Sequence, residues 1–302
     1  EMYATGRPRI KYATSDSAGR AAEPYLIVAD RVRFKGNDRL FAGGKVTIDR
    51  SDFAARGDSL RLDTGAGSDG TLLGGTPTLR GLGPDSFTIS GNRIDLKLER
   101  RELTYLLAKG SGHAVNREWD LVADTIALDI NGRKLEQTLA WGDKTRPNAT
   151  SPSYALTADS LALDTPAQQL REVRGFGRAW LGGTKHGAQE RDWMRGDTVV
   201  ARFATADSAG HKRALLTRIE ARQAAQSYHL DSNVRVPSRP SINYARGDAI
   251  LVTMKEGQVR GVDRVDIRGK VDGIQLEASA DSTAVPADSA RAPAAAAAED
   301  TP

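Results

Sequence analysis

Histidine is the residue most suited to acid–base or metal chemistry, and the sequence contains four, at His113, His186, His211 and His229. They lie far apart, and no two have the short spacing that is typical of ligands to one metal ion. The lack of cysteine excludes disulfides, thiolate nucleophiles and cysteine-bound metals. We therefore predict no metal site and no cofactor, and interpret the histidines as surface or turn residues.

Aspartate is the second candidate, because it recurs at one position of a repeated pattern. The recurring residues are Asp30, Asp58, Asp124, Asp159, Asp197 and Asp248, with Asn92 in one copy. A pair of carboxylates could act as general acid and general base. Each of these residues, however, directly precedes a run of alternating apolar residues, where an aspartate commonly accepts hydrogen bonds from nearby backbone N–H groups. We predict that structural role and no catalytic residue.

Two short motifs suggest functions that their positions do not support. Gly175–Gly177 begins like a dinucleotide-binding fingerprint but lacks the third glycine and a following helix. The tripeptide Arg-Gly-Asp occurs at Arg56–Asp58, Arg195–Asp197 and Arg246–Asp248. All three copies lie where other copies of the repeat have unrelated residues before the aspartate. We interpret both motifs as by-products of the repeat.

The repeat has seven copies, and its clearest copy is Leu121–Asp129 followed by Leu139–Gly142. In the first part, apolar residues stand at every second position, which predicts a strand, and the second part has a small residue two positions before a glycine. The glycines of successive copies, at positions 6, 44, 75, 110, 142 and 175, are 38, 31, 35, 32 and 33 residues apart. A period in the thirties indicates stacked units, each of two strands.

We predict that these units form one domain over residues 1–278. A helix is an alternative for Arg213 to Gln226, since its residues are good helix formers, but a strand preserves the phase of the repeat. Residues 279–302 are rich in Ala, Pro, Asp and Ser without periodicity, and we predict a disordered tail. Because Glu1 falls within a unit, we interpret the chain as the C-terminal part of a longer protein.

The composition suits short strands separated by turns, with 39% hydrophobic and 6% aromatic residues and 30 glycines. No apolar run approaches 18 residues, so we predict no transmembrane segment. The net charge of +4 comes from 43 basic and 39 acidic residues in alternation rather than from a basic block. This pattern is typical of solvated strand faces and predicts no nucleic-acid partner, while a diffuse attraction for anionic lipids is the alternative.

The alternation also predicts an apolar face that runs across consecutive strands. Its residues are Val32, Phe34, Leu60, Leu62, Ile94, Leu96, Ile126, Leu128, Leu161, Leu163, Val199, Ile250 and Val252. They could close into a dry core, or they could line a partly open groove for an apolar ligand. A closed core normally contains several large aromatic residues, whereas this set contains one phenylalanine. Periodicity alone leaves both possibilities open.

The repeat resembles the OstA-like domains of the lipopolysaccharide transport proteins LptA, LptC and LptD. The segments most similar to that family are Ala29 to Ile48, Ala123 to Gly142 and Ala158 to Ala179. Glu220 to Tyr228 resembles a strand of the family, except at Gln223 and Ala225, and Gly269 to Gly273 resembles its closing strand. The resemblance covers about residues 1–278.

The resemblance implies an all-β fold: an elongated antiparallel β-jellyroll, or β-taco, with two facing sheets in a V around an apolar groove. It also implies a periplasmic protein that is peripheral to membranes. Acyl chains of lipopolysaccharide would slide along the groove toward the outer membrane, and related domains would join end to end through edge strands.

We therefore predict a non-enzymatic lipid conduit in which the thirteen apolar residues line the groove. Arg31, Arg33 and Lys45 are candidates for contacts with lipid phosphates at the mouth of the groove. The alternative is a structural or adhesive repeat protein with a closed core and no lipid. A carbohydrate-active enzyme is a third hypothesis, which the scarcity of aromatic residues and clustered carboxylates disfavours.

Overall fold

The computed structural model describes residues 1–12, 24–36, 38–63, 69–82, 86–99, 102–183, 192–208, 211–231, 241–255 and 261–277. Its 22 strands form one continuous antiparallel sheet. The strands are β1 (Met2–Thr5), β2 (Arg9–Tyr12), β3 (Tyr25–Val28), β4 (Arg31–Lys35), β5 (Arg39–Asp49), β6 (Phe53–Asp63), β7 (Asp69–Leu73), β8 (Thr78–Gly81), β9 (Thr88–Ser90), β10 (Arg93–Glu99), β11 (Glu102–Val115), β12 (Asp120–Asn131), β13 (Lys134–Trp141), β14 (Asn148–Thr150), β15 (Tyr154–Thr157), β16 (Ser160–Asp164), β17 (Glu172–Gly183), β18 (Trp193–Ser208), β19 (His211–Asp231), β20 (Ser241–Met254), β21 (Val262–Arg268) and β22 (Asp272–Leu276). A 3₁₀ turn at Pro166–Gln168 is the one helical element of the described residues, none of which forms a helix long and apolar enough to cross a membrane.

The sheet bends on itself at a corner in each unit, where a long strand passes from one layer to the other. In β11 the pairing register with β12 shifts between Lys109 and Gly112, and the two residues between them, Gly110 and Ser111, both have positive φ. Two consecutive left-handed residues form a bulge that redirects the strand. Equivalent pairs are Gly44 with Lys45, Gly177 with Arg178, and Gln223 with Ala224.

The corners divide the sheet into two layers. Layer A pairs, in order, β1, β4, β5, β6, β7, β10, β11, β12, β13, β16, β17, β18, β19, β20 and β21. Layer B pairs β2, β3, β5, β6, β8, β9, β11, β12, β14, β15, β17, β18, β19, β20 and β22. Buried residues of both layers belong to one apolar cluster, so the layers face each other around a shared interior.

The prediction of an all-β, antiparallel jellyroll of stacked strand pairs is confirmed. The helical alternative for Arg213 to Gln226 is wrong, because this segment lies within β19 and pairs with β18 on one side and β20 on the other. The predicted disordered tail, residues 279–302, lies outside the described residues.

Candidate functional site

All thirteen predicted apolar residues lie on the inner face of layer A, in two rows that cross the strands. The first row runs Val32, Ala42, Leu60, Leu72, Ile94, Ala108, Ile126, Ala140, Leu161, Gly175, Val199, Ala221, Ile250 and Ile267. The second runs Phe34, Leu40, Leu62, Gly70, Leu96, Leu106, Leu128, Thr138, Leu163, Val173, Ala201, Ile219, Val252 and Val265. The predicted residues are buried, apart from Phe34, which is partly buried. Thr138 is the one polar residue of these two rows.

The opposite wall of the interior comes from layer B, which the sequence analysis missed. Ile27, Val46, Leu79, Ile89 and Leu121 are among its buried residues. A single alternating pattern cannot span both walls, because the corner bulge changes which residues face inward. Ile126 and Leu121 are both fully buried although five positions separate them, an odd number that strict alternation would place on opposite faces.

Aromatic residues close the interior along the side opposite the corners. We call this line, where the strand ends of the two layers meet away from the corners, the seam. Five aromatic residues of layer B lie there, each five positions before a corner residue (Asp30, Asp58, Asn92, Asp124 or Asp159): Tyr25, Phe53, Phe87, Trp119 and Tyr154. The first four are buried and Tyr154 is partly buried against the same core. We call these five residues the caps, and their constant offset from the corner is the sequence signal that could have revealed them.

Three of the five caps directly follow a tight turn. The backbone N–H of Arg50 donates to the carbonyl of Phe53 at 3.0 Å, and that of Asn116 donates to Trp119 at 3.0 Å. The N–H of Ser151 donates to Tyr154 at 2.7 Å. Phe53 and Tyr154 also begin strands and pair with Gly81 and Gly183, so layer B holds them in place.

The last two units have no cap. Asp192 and Asn243 occupy the positions five residues before Asp197 and Asp248. The Asp192 carboxylate contacts Nδ1 of His229 at 3.1 Å, so this part of the seam carries polar side chains. We call the interior between β18 and β22 the uncapped section.

The walls of the uncapped section differ from each other. Layer B contributes the small residues Ser227 and Ala245 at inward positions, beside the buried Met194. Layer A contributes Ile250 and Val252, which are buried, and the row then ends at Val265 of the edge strand β21, which is 46% exposed. The apolar interior therefore reaches solvent at this end of the described sheet.

The recurring aspartates hold the corners. The Asp124 carboxylate accepts hydrogen bonds from the backbone N–H groups of Lys144 at 2.7 Å and Thr145 at 3.0 Å. Burial alone would raise the pKa of Asp124, but these donors hold it below its ordinary value. The Asp159 carboxylate instead binds the guanidinium of Arg178 at 2.7 Å, which lowers its pKa. The predicted structural role is confirmed for Asp124.

The histidines and basic candidates are dispersed. His113 contacts Asp120 at 2.9 Å, while the side chains of His186 and His211 lie outside the described residues. In the described residues, no group of three His, Cys, Asp or Glu could hold a metal ion. Arg31 and Arg33 are exposed on either side of inward-facing Val32, so they lie on the outer face of layer A, and their contact with lipid phosphates stays a prediction.

Arg33 has partners on the outer face of layer A. Its guanidinium binds the Glu1 carboxylate at 2.7 Å and lies over the rings of Tyr3 and Phe41. Lys45 is one of the left-handed corner residues, on the side of the molecule away from the seam. Lys45 lies there because it is part of the corner bulge, and the seam is formed by the opposite ends of the strands.

Comparisons with known proteins give a likeness of fold. No protein-family model matches the sequence, and none of the curated proteins is similar to it. Among solved structures, the chain is similar to LptH from Pseudomonas aeruginosa, described as the LptA-homologous periplasmic component of the lipopolysaccharide transport device. The identity is 13% and the TM-score 0.37, over 45% of this chain and 98% of LptH. A likeness at this level carries nothing about function.

Proposed function

We propose that this chain is a non-enzymatic, periplasmic conduit that binds the acyl chains of lipopolysaccharide, or of a similar glycolipid, and passes them toward the outer membrane. The observation that carries the proposal is the inner face of layer A. Two rows of apolar residues, with Thr138 as their one polar member, cross the sheet from β4 to β21, and the second row reaches solvent at Val265. A ligand with long hydrocarbon chains matches such a surface, because each buried CH₂ group contributes about 0.8 kcal/mol.

The strand edges support the assembly of conduits end to end. Within the described residues, β21 pairs with β20 and β22 also pairs with β20, each on one side. Every residue of β22 is exposed. A strand of a related domain can add to such an edge and extend both layers, which would continue the interior into the next domain.

The proposal is tested with the full chain purified from a lipopolysaccharide-producing host. Native mass spectrometry should show a bound species of glycolipid mass. Val265→Asp should reduce the bound fraction at least tenfold, since it places a charge where the apolar row meets solvent. Val271→Asp is the matched control, because Val271 is similarly exposed, at 56%, but precedes β22 and lies in neither inner row. An apo mass for the unmodified protein, with β-sheet circular dichroism intact, would refute the proposal.

A structural repeat protein with a closed core is the second candidate function, and the caps favour it. Tyr25, Phe53, Phe87 and Trp119 fill the seam of the first units with buried aromatic rings, as a dry core would. This function predicts no uptake of a fluorescent fatty acid by the intact chain. Saturable uptake that Val265→Asp removes would exclude it.

A further inference from the structure

Two large aromatic side chains project from the outer face of layer A, on the opposite side of the sheet from the apolar interior. Trp141 of β13 is 41% exposed, and Phe176 of β17 is 42% exposed. Both pair directly with Ser160 of β16, from opposite sides, so the three residues form one line across the strands. The two rings therefore stand on either side of a small residue.

The line continues with a hydroxyl residue at each end. Thr125 of β12 pairs with Trp141, and Thr198 of β18 pairs with Phe176. Hydroxyl and aromatic side chains thus alternate across five adjacent strands, and we call these five residues the outer stripe. Its three hydroxyl residues are partly exposed, and their side chains form no hydrogen bond within the described residues. All three hydroxyls can therefore bind a ligand.

The two rings of the outer stripe have no aromatic or cationic partner. Among the described residues, neither Trp141 nor Phe176 stacks on another ring or lies beneath a cation. Tyr3, the third exposed aromatic residue of this part of the chain, instead lies under the guanidinium of Arg33. Exposed apolar side chains that are scattered singly need no explanation, but two that share one line indicate a binding surface.

The spacing of the outer stripe fits a chain of pyranose rings. Adjacent strands lie about 4.8 Å apart, so Trp141 and Phe176 leave the sheet at points that are about 10 Å apart. Alternate sugar rings of an extended β-linked glycan repeat at a similar distance. The C–H groups of a pyranose pack on the electron-rich face of an aromatic ring, and its hydroxyls pair with protein hydroxyls. A glycan across the strands would place every second sugar on a ring and the sugar between them over Ser160.

The charges at the two ends of the stripe favour an uncharged ligand. One cation follows the stripe in the same row at each end: Lys109 binds the Asp95 carboxylate at 3.3 Å, and Arg222 binds Glu220 at 2.8 Å. Each cation is neutralised by a carboxylate of the outer face, so neither supplies a free positive charge. An anionic lipid surface or a nucleic acid is attracted by such charges, whereas a neutral glycan does not need them.

We propose that the outer stripe binds an extended, uncharged, β-linked glycan strand. Trp141 and Phe176 are the two stacking platforms, and the hydroxyls of Thr125, Ser160 and Thr198 are the hydrogen-bonding groups. Each of the five strands pairs on both sides within layer A, so the stripe is ordered before the ligand binds and little conformational entropy is lost. Because the stripe lies outside the interior, the proposal goes beyond the proposed function and does not depend on it.

The experiment measures binding of the full chain to chitohexaose and cellohexaose, two uncharged β-linked glycans, by isothermal titration calorimetry. Trp141→Ala and Phe176→Ala should each weaken binding about tenfold, as expected for the loss of one stacking contact, and the double variant should show no measurable binding. Trp141→Tyr, which keeps an aromatic face, should retain most of the affinity. Leu73→Ala is the matched control, because Leu73 is also 41% exposed before a corner glycine, but it pairs with Ser59 and Arg93.

Circular dichroism verifies that each variant is folded. Binding that the double variant loses and Leu73→Ala retains would support the proposal. No binding of either glycan by the unmodified chain would overturn it, and so would equal binding by the double variant. Vesicles of phosphatidylglycerol and sedimentation of the chain alone test two other occupants. Vesicle binding or self-association that depends on Trp141 and Phe176, without glycan binding, would overturn the proposal in favour of a membrane or a second copy of the chain. All these outcomes leave the proposed function to its own test by mass spectrometry.

Discussion

The backbone N–H of Asp159 donates to the carbonyl of Gly177 at 3.0 Å, and a β-carbon added to Gly177 would lie 2.5 Å from the Asp159 carboxylate oxygen Oδ2. The same relationship joins Asp30 to Gly44, whose carbonyl accepts from the Asp30 N–H at 2.9 Å. These two corners thus need a residue without a side chain opposite a carboxylate, which explains why aspartate and glycine recur together in most units of the sequence.

Gly177→Ala should destabilise the protein by about 2 kcal/mol. The substitution combines a left-handed backbone, at φ 75°, with a steric clash against Asp159. Gly183→Ala is the control, because the nearest atom to its added β-carbon lies 4.0 Å away and its φ is not positive. Urea denaturation followed by circular dichroism measures both free energies of unfolding. Equal effects at the two positions would show that the corner imposes no special requirement.

Gln223→Gly should stabilise the protein by about 1 kcal/mol. Gln223 has φ 60° and stands where other corners have glycine, so it carries the cost of a left-handed conformation. Ala249→Gly, in β20 beside this corner, lacks positive φ and should destabilise by about 1 kcal/mol through added backbone freedom in the unfolded chain. Thermal unfolding of the two variants should shift the midpoint in opposite directions.

Thr138→Val should raise the free energy of unfolding by about 1 kcal/mol. The Thr138 hydroxyl is fully buried in the inner row and has no hydrogen-bond partner among the described residues, so valine keeps the shape and removes an unpaired polar group. Thr165→Val provides the contrast. The Thr165 hydroxyl is also buried but donates to the carbonyl of Leu135 at 3.2 Å, and its loss should destabilise by about 1 kcal/mol.

Because of Asp95, the free energy of unfolding should decrease at acid pH. Burial alone would raise its pKa, but hydrogen bonds from Arg93, Thr71 and Lys109 hold the pKa below its ordinary value. The unfolded chain therefore binds the proton more readily, and this contribution is complete above about pH 4 and is lost as the pH falls through the lower, folded pKa. Asp95→Asn should show a smaller loss of stability between pH 5 and about pH 3 than the unmodified protein. Thr71→Val, which removes one of the three donors, should fall between them, and an unchanged acid response in Asp95→Asn would contradict the assignment.

The wall of the interior that layer A forms could be predicted from the sequence, because the alternation of inward and outward residues along a strand is a local property. Ile126 and Leu128 share a face by period alone, and so do their counterparts in every unit. The opposite wall depends on the corner bulges, which are formed by residues with positive φ. The residue types alone do not indicate that Ser111 or Ala224 has positive φ. Trp119 escaped notice because its turn lies outside the alternating run, although its distance from Asp124 repeats in four other units.

The order of the pairings sets how this molecule responds to force. Strand β1 lies at one end of the stack and β22 at the other, and each layer pairs strands in the order in which the chain makes them. Tension applied between Met2 and Leu276 would act first on the outermost strand pairing and would break its hydrogen bonds one after another. The sheet should therefore yield in steps of about one repeat unit at low force, and an opened unit could re-form on the units that remain folded.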